Sequence, residues 1–128
     1  MIAFDRAPQL SPGLAPPDRV VTLALDGELG LSELSQVGDE LFRSMHHGRK
    51  RIVLDLTHVS HIDYRGIRAL VTRVDLFRRA GGDIKIAGAS PYLRAIFRAG
   101  GAHAAFELHP TVPEARAAFD PPRFAVGS

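Results

Sequence analysis

The chain has 128 residues, which is the length of one domain with a single core of moderate size. Its 16 Lys and Arg side chains exceed its 14 Asp and Glu side chains by only two charges, which does not favour nucleic acid as a partner. There is no Cys, so disulfides and thiolate chemistry are excluded, and a cytoplasmic location is expected. No apolar run has the length of a membrane span, and the first residues lack a signal-peptide pattern, so we expect no membrane insertion.

The N-terminal segment, residues 1–18, is predicted to contain a short edge strand and a Pro-rich loop. Residues 7–17 include four prolines, which lack the backbone donor that regular structure needs. From there the sequence is typical of a folded domain, which we predict over residues 19–120. Residues 121–128 are predicted to form a loose C-terminal tail.

The folded part begins with a strand and a helix. Residues 19–25 are rich in branched apolar side chains, which predicts a strand, and Asp26 and Gly27 are typical of a turn. Ser32 is predicted to cap the following helix, and Gly48 to end it. The apolar face of this helix consists of Leu34, Val37, Leu41 and Met45.

The central part of the chain predicts a strand followed by a long helix. Residues 52–56 form a branched apolar run typical of a strand buried on both faces, and residues 57–60 are predicted to form a polar loop. Asp63 is placed to cap the helix, because its carboxylate can accept from free backbone N–H groups and complements the helix dipole. The helix has one apolar face, formed by Ile67, Leu70, Val71, Val74 and Phe77.

The remaining elements continue the alternation of strands and helices. Residues 83–87 predict a strand parallel to residues 52–56, since a strand, helix and strand of these lengths form a right-handed βαβ unit. Ser90 is predicted to cap a short helix, residues 105–109 to form a short strand, and Thr111 to cap the last helix. The predicted fold class is therefore α/β, a mixed, mostly parallel sheet of four or five strands with helices packed against it.

The segment from Ile52 to Leu70 resembles the signature of the STAS domain, the family of bacterial anti-sigma factor antagonists. In that family an apolar strand and a short loop precede Asp-Ser-Ser/Thr-Gly at the start of a helix, and Asp63 and Gly66 match the first and last of these positions. The resemblance covers roughly residues 19–119 and implies a single STAS-like domain. Further matches follow in the same order, namely Gly27-Glu28-Leu29, Ala80-Gly81-Gly82 and Ala89-Ser90-Pro91 with Leu93 and Phe97.

The resemblance also places an unusual residue at the regulatory position of the family. There, the Ser or Thr directly before the Gly accepts a phosphoryl group from a partner kinase, which is also the anti-sigma factor, and the modification blocks binding. Arg65 stands at this position and has no hydroxyl, so this chemistry is impossible on its side chain. A cation at a helix N-terminus is also unfavourable by about 0.3–1 kcal/mol. Arg65 is therefore either a residue of a domain that no longer uses the switch or a contact for an acidic partner or a phosphate.

Other residues near this turn are secondary candidates. Tyr64, Thr57 and Ser60 are the alternative hydroxyls for phosphorylation, although an exposed aromatic or a solvated hydroxyl is the simpler interpretation. Gly30 stands where several family members carry an acidic residue that takes part in kinase contact, which argues against an unchanged kinase interface. The residues that the resemblance implies for partner binding are Asp63, Tyr64, Arg65, Gly66 and Arg68.

No sequence pattern indicates an enzyme, a metal site or a cofactor. The six histidines are spread along the chain without Cys or a tight cluster of carboxylates, which argues against zinc. Glycine-rich phosphate loops and the Gly-x-Ser-x-Gly motif are absent from the sequence. We therefore expect no catalysis, no metal and no cofactor.

Three functions are compatible with these observations. The first is a regulatory protein that binds an anti-sigma factor of the serine kinase type, or a scaffold protein, through the turn of residues 63–66. The second is a non-switching STAS subunit of a larger assembly, such as a stress-signalling complex or a lipid-transport ABC system. The third, an enzyme or small-ligand binder on the same fold, has the least support. The identity of the partner and the oligomeric state are left open.

Overall fold

A computed structural model describes residues 2–4 and 19–119. The elements in chain order are β1 (Ile2–Phe4), β2 (Val20–Leu29), α1 (Leu31–His46), β3 (Arg51–Ile62), α2 (Tyr64–Arg79), β4 (Asp83–Ala87), α3 (Pro91–Ala99), β5 (Glu107–His109) and α4 (Val112–Ala118). The predicted Pro-rich loop and the predicted C-terminal tail lie outside the described residues, so the proposed domain boundaries stay a prediction.

The five strands of the described residues form one sheet in the order β1-β2-β3-β4-β5. β1 pairs antiparallel with β2, and the other neighbouring strands are parallel. The pairing of β3 with β4 runs from Arg51 and Asp83 to Asp55 and Ala87, which confirms the predicted parallel pair. The mixed, mostly parallel sheet with its packed helices confirms the predicted fold class.

Two apolar clusters lie on opposite faces of the sheet. In β3, Ile52 and Leu54 belong to the larger cluster and Val53 to the smaller one, because successive side chains of a strand point to opposite faces. α1, α2 and α3 bury their apolar faces in the larger cluster, whereas α4 covers the other face with Ala115. All three of these β3 residues are fully buried, as expected for a strand covered on both faces.

The apolar face predicted for α2 is the face that packs inward. Ile67, Leu70, Val74 and Phe77 are buried, and Val71 is partly buried. Because these residues recur every three or four positions, they form one stripe along the helix. The stripe packs on α1, β4 and α3.

Two segments predicted to be irregular are parts of strands. Residues 57–60, predicted as a polar loop, continue β3, which pairs with β2 as far as Leu29 and Ile62. The predicted turn at Asp26 and Gly27 is a region of register shifts inside β2, where Gly27 has a φ of 73°. Both predictions were wrong because polar residues in a strand are held by pairing with a segment far away in the chain, which local composition does not report.

Three of the four predicted helix caps are confirmed. Asp63, Ser90 and Thr111 each accept a hydrogen bond from a backbone N–H in the first turn of α2, α3 and α4. α1 differs, because Gly30 is its N-cap and the Glu33 carboxylate accepts from the Gly30 N–H at 2.9 Å. The predicted cap at residue 32 was wrong, since that residue lies inside the first turn.

The last strand is shorter than predicted. β5 comprises Glu107–His109 instead of residues 105–109. The N–H of Ala105 donates to the carbonyl of Ala102 at 2.9 Å. This turn satisfies the backbone locally, so the strand begins two residues later.

Substitution of Leu70 tests the packing of α2. Its side chain is 3% exposed, so Leu70→Ala should lower the free energy of unfolding by about 2–5 kcal/mol, through lost burial and the cavity left behind. Leu76→Ala is the matched control, because Leu76 lies on the same helix and is 56% exposed. We expect the control to change stability by less than about 0.5 kcal/mol in urea denaturation. If Leu70→Ala lowered the free energy of unfolding as little as the control does, Leu70 would lie outside the core.

Candidate partner-binding site

The turn of residues 63–66 lies at the carboxyl end of the parallel strands. Leu29 and Ile62 are paired at the ends of β2 and β3. The N–H of Asp63 donates to the carbonyl of Leu29 at 2.9 Å, which fixes the turn beside the start of α1. Folds with parallel strands commonly bind ligands and partners at this end of the sheet.

Asp63 holds the first turn of α2 as the sequence predicts. Its Oδ1 accepts from the backbone N–H of Arg65 at 2.9 Å, and its carbonyl accepts from the N–H of Gly66 at 2.9 Å. Two N–H groups that have no partner within the helix are therefore satisfied by one residue. Asp63 therefore has a structural role, because it positions the backbone of Arg65 and Gly66.

The Arg65 side chain folds back and hydrogen-bonds the Asp63 cap. Its Nε donates to Asp63 Oδ1 at 3.1 Å, and its Nη2 donates to Asp63 Oδ2 at 2.8 Å. This bidentate hydrogen bond lowers the pKa of Asp63 to about 2, with the backbone N–H of Arg65 as the next cause. The carboxylate also offsets the unfavourable position of a cation at a helix N-terminus. The guanidinium side chain is still 69% exposed, so it remains available for contact.

Gly66 lets the two helix starts come close together. A Cβ on Gly66 would lie 2.4 Å from Cδ1 of Leu34 and 3.2 Å from Cδ2 of Leu31. A larger residue would therefore force α2 away from α1 or displace a buried leucine side chain. The glycine of the predicted signature has a packing role in this structure.

Exposed apolar side chains occur at the starts of three helices at this end of the molecule. Leu31 is the first residue of α1, Tyr64 is the first residue of α2, and Tyr92 lies in the first turn of α3. Each has more than half of its surface exposed. The Tyr92 hydroxyl is 2.6 Å from Nδ1 of His61, and the two rings stack with centroids 5.8 Å apart. Large apolar side chains left in solvent near one another are typical of a protein contact surface.

A cleft of about 410 Å³ separates the start of α2 from the end of α3. Tyr64, Arg65 and Arg68 line one side, and Ala99 and Gly100 line the other. Three of the five predicted site residues therefore share a single concave surface, while Asp63 and Gly66 hold that surface in place. The cleft presents two guanidinium groups and one aromatic ring, which suits an acidic partner group.

Of the three alternative phosphoacceptors, Tyr64 lines this cleft, whereas Thr57 and Ser60 do not. The Thr57 hydroxyl donates to Oδ1 of Asp55 at 2.5 Å, and Ser60 is an exposed residue in the second half of β3. Sequence reasoning missed Leu31 and Tyr92. Their exposure depends on how the helices meet the sheet, and no local pattern distinguishes them from core residues.

Three of the six histidines lie within hydrogen-bond distance of a partner. His61 pairs with Tyr92, His47 lies 2.9 Å from the carbonyl of Arg43, and His109 lies 2.5 Å from Oε2 of Glu107. Among residues 19–119, no three His, Asp or Glu side chains are placed to hold a metal ion. In the same part of the chain, no helix is both long enough and apolar enough to cross a bilayer.

The chain belongs to the STAS domain family, whose model matches residues 13–115. BtrV of Bordetella bronchiseptica, which bears the name of an anti-sigma factor antagonist, is 26% identical over 102 residues that cover 80% of this chain and 88% of BtrV. The family predicted from the sequence is therefore confirmed.

Solved structures confirm the fold. The structure of the Bacillus cell fate determinant SpoIIAA in its phosphorylated form is similar with a TM-score of 0.63 and 18% identity, over 92% of this chain and 98% of SpoIIAA. The murine anion transporter Slc26a9 has a TM-score of 0.64 and 16% identity, over 78% of this chain and 17% of the transporter. The same fold is thus found in a small regulator and in one part of a transporter.

Titration of Asp63 tests the geometry of the turn. Its pKa should be about 2, and Arg65→Ala should raise it toward the ordinary 3.8, because the largest cause is lost while the backbone bond remains. Since the folded-state pKa is depressed, the stability that Asp63 contributes is present above its unfolded pKa and is lost as the pH falls from about 4 to about 2.

NMR titration of the Asp63 carboxyl carbon measures this pKa. Arg68→Ala is the control, because it removes a nearby cation that makes no bond to Asp63. An unchanged Asp63 pKa in Arg65→Ala would show that the bidentate hydrogen bond does not form in solution.

Proposed function

We propose that this protein is a regulatory binding protein of the anti-sigma factor antagonist type, which acts by protein–protein contact through the 63–66 turn and without a phospho-switch on Ser or Thr. The observation that carries the proposal is the residue before Gly66. Arg65 offers a permanent charge and five donors but no hydroxyl, and its side chain is 69% exposed at the start of α2. Membership of the STAS family and the likeness to BtrV support the regulatory role.

The chemistry of the surface supports binding and not turnover. Tyr64 and Leu31 supply apolar contact area, and Arg65 and Arg68 supply positive charge on the adjoining cleft. Aromatic and Arg side chains are the types that contribute most to protein–protein affinity. The proposed partner is an anti-sigma factor of the serine kinase type or a scaffold protein, encountered in the cytoplasm.

A second candidate is a non-switching subunit of a larger assembly, either a stress-signalling scaffold or a lipid-transport ABC system. It is favoured by the absence of the hydroxyl at Arg65 and by Gly30, which is the N-cap of α1 and has no side chain for a kinase contact. Neighbouring genes separate the two candidates. A sigma factor and an anti-sigma kinase support the first, whereas transporter genes support the second.

A phosphorylation experiment tests the missing switch. Wild type and Arg65→Ser are incubated with the cognate anti-sigma kinase and ATP, and the products are analysed by intact mass and peptide mapping. We expect wild type to stay unmodified. Arg65→Ser should accept one phosphoryl group if the rest of the kinase interface tolerates Gly30, because the added dianion is favoured at a helix N-terminus. Failure of both proteins would point to a lost kinase interface instead of to Arg65 alone. Phosphorylation of wild type at Tyr64, Thr57 or Ser60 would instead move the switch to that residue.

A binding experiment tests the surface with the same partner. Tyr64→Ala should weaken binding by at least tenfold, since truncating a central aromatic contact typically costs about 2 kcal/mol or more. Phe42→Ala is the matched control, because Phe42 is a similarly exposed aromatic, 67% against 62%, on the outer surface of α1. Calorimetric titration measures both variants. Equal affinity for the two variants would place the interface away from the 63–66 turn.

A further inference from the structure

A second cavity, of about 450 Å³, lies at the opposite end of the sheet from the 63–66 turn. Its lining includes Lys50, Arg51, Asp83, Lys85 and Phe119. Arg51 and Asp83 are the first residues of β3 and β4, whereas the 63–66 turn follows the last residue of β3. The length of β3 therefore separates the two sites by on the order of 30–40 Å.

The acidic groups at this cavity are already neutralised. Asp83 Oδ1 accepts from Nε of Arg78 at 3.1 Å and from the N–H of Ile84 at 2.8 Å. Its Oδ2 lies 3.8 Å from Nζ of Lys85, and Glu107 Oε1 lies 3.1 Å from the same ammonium group. Lys85 is thus a buried cation held by two carboxylates, and it lies 4.7 Å from the centroid of the Phe119 ring. The opposite charges of this network neutralise one another, so the network has little net charge to attract a ligand.

Two other cations at the cavity have no carboxylate partner in the part of the chain that the structure describes. Lys50 is exposed, and its Nζ would lie 4.0 Å from a Cβ placed on Gly81. Arg51 donates one hydrogen bond, from Nη1 to the carbonyl of Phe119 at 3.3 Å. α2 and α4 both end nearby, but a helix C-terminus carries only about half a negative charge, and that effect is confined to the last turn. The surroundings of Lys50 and Arg51 therefore remain positive.

We propose that this cavity binds a small organic phosphate, with the phosphate group on Arg51 and Lys50 and the organic part against Phe119. The planar guanidinium of Arg51 matches two phosphate oxygens, and Lys50 adds a mobile point charge. A phosphate monoester carries up to two negative charges and can satisfy both cations, whereas a monocarboxylate carries one. The volume falls in the range of small-molecule sites, and Ala118 and Phe119 supply an apolar wall. This site goes beyond the proposed function, because it does not include the 63–66 turn.

The test is an NMR titration of the full chain, with amide shifts as the signal and phenyl phosphate, inorganic phosphate and benzoate as the probes. We expect phenyl phosphate to bind more tightly than the other two probes, because only this molecule has both the phosphate and the ring. The largest shifts should occur at the amides of Lys50, Arg51, Gly81 and Lys85.

Single substitutions distinguish binding of phenyl phosphate at this cavity from a general attraction of anions to a positively charged protein. Lys50→Ala and Arg51→Ala should each weaken phenyl phosphate binding about tenfold, the value of one charge-assisted hydrogen bond. Lys50 is exposed, so its substitution tests the site without disturbing the core. Arg94→Ala is the matched control, because Arg94 is an exposed residue near the start of α3, at the other end of the molecule, and lines neither cavity. It changes the net charge by the same amount.

The control should bind phenyl phosphate as wild type does. Equal weakening by Arg94→Ala and Lys50→Ala, largest shifts at the 63–66 turn, or no amide shifts with any probe would overturn the proposal. None of these results depends on a protein partner, so the outcome is independent of the experiments on the 63–66 turn.

Discussion

The parallel pairing of β3 is the constraint on which the rest of the structure depends. Residues 51–55 are paired on both edges, with β2 and with β4, but β4 stops at Ala87. Within residues 19–119, the remainder of β3 pairs with β2 alone and carries the 63–66 turn past the end of β4. α2 therefore begins beside α1, where the absence of a side chain at Gly66 permits close packing. The 63–66 turn and the second cavity therefore lie at opposite ends of β3 and are lined by different side chains.

Local signals were sufficient to predict most of the fold. Side-chain caps such as Asp63, the apolar stripe of α2 and the branched run of residues 52–56 each report on neighbouring residues in the chain, so each could be read from the sequence. The errors occurred where the structure depends on distant pairing. Three of residues 57–60 are polar, and the segment belongs to a strand only because the irregular second half of β2 lies beside it. No local pattern predicts that pairing.

The candidate site was predictable in position but not in geometry. The resemblance to the STAS signature placed Arg65 at the start of a helix and identified the missing hydroxyl. It did not predict that the guanidinium would reach back to both oxygens of Asp63, because a side chain of this length has many rotamers at an exposed position. The cavity at the other end joins β3, β4, the end of α2 and the end of α4, so its cations come together only in the folded chain.

Within the 63–66 turn, Asp63 and Gly66 have structural roles, whereas the side chain of residue 65 is the one on which the proposed loss of phosphorylation depends. Asp63 is required to cap α2, and Gly66 is required for the approach of α2 to α1, whatever the protein binds. Any residue at position 65 can contribute its backbone N–H to the cap, and the Arg65 side chain, which also hydrogen-bonds Asp63, is 69% exposed. Serine at this position would leave the backbone contacts unchanged and exchange a permanent charge for a phosphorylatable hydroxyl. The signature is therefore strong evidence for the fold, whereas the proposal that the Ser/Thr switch is absent rests on the side chain of residue 65, with Gly30 as a second departure from the family pattern.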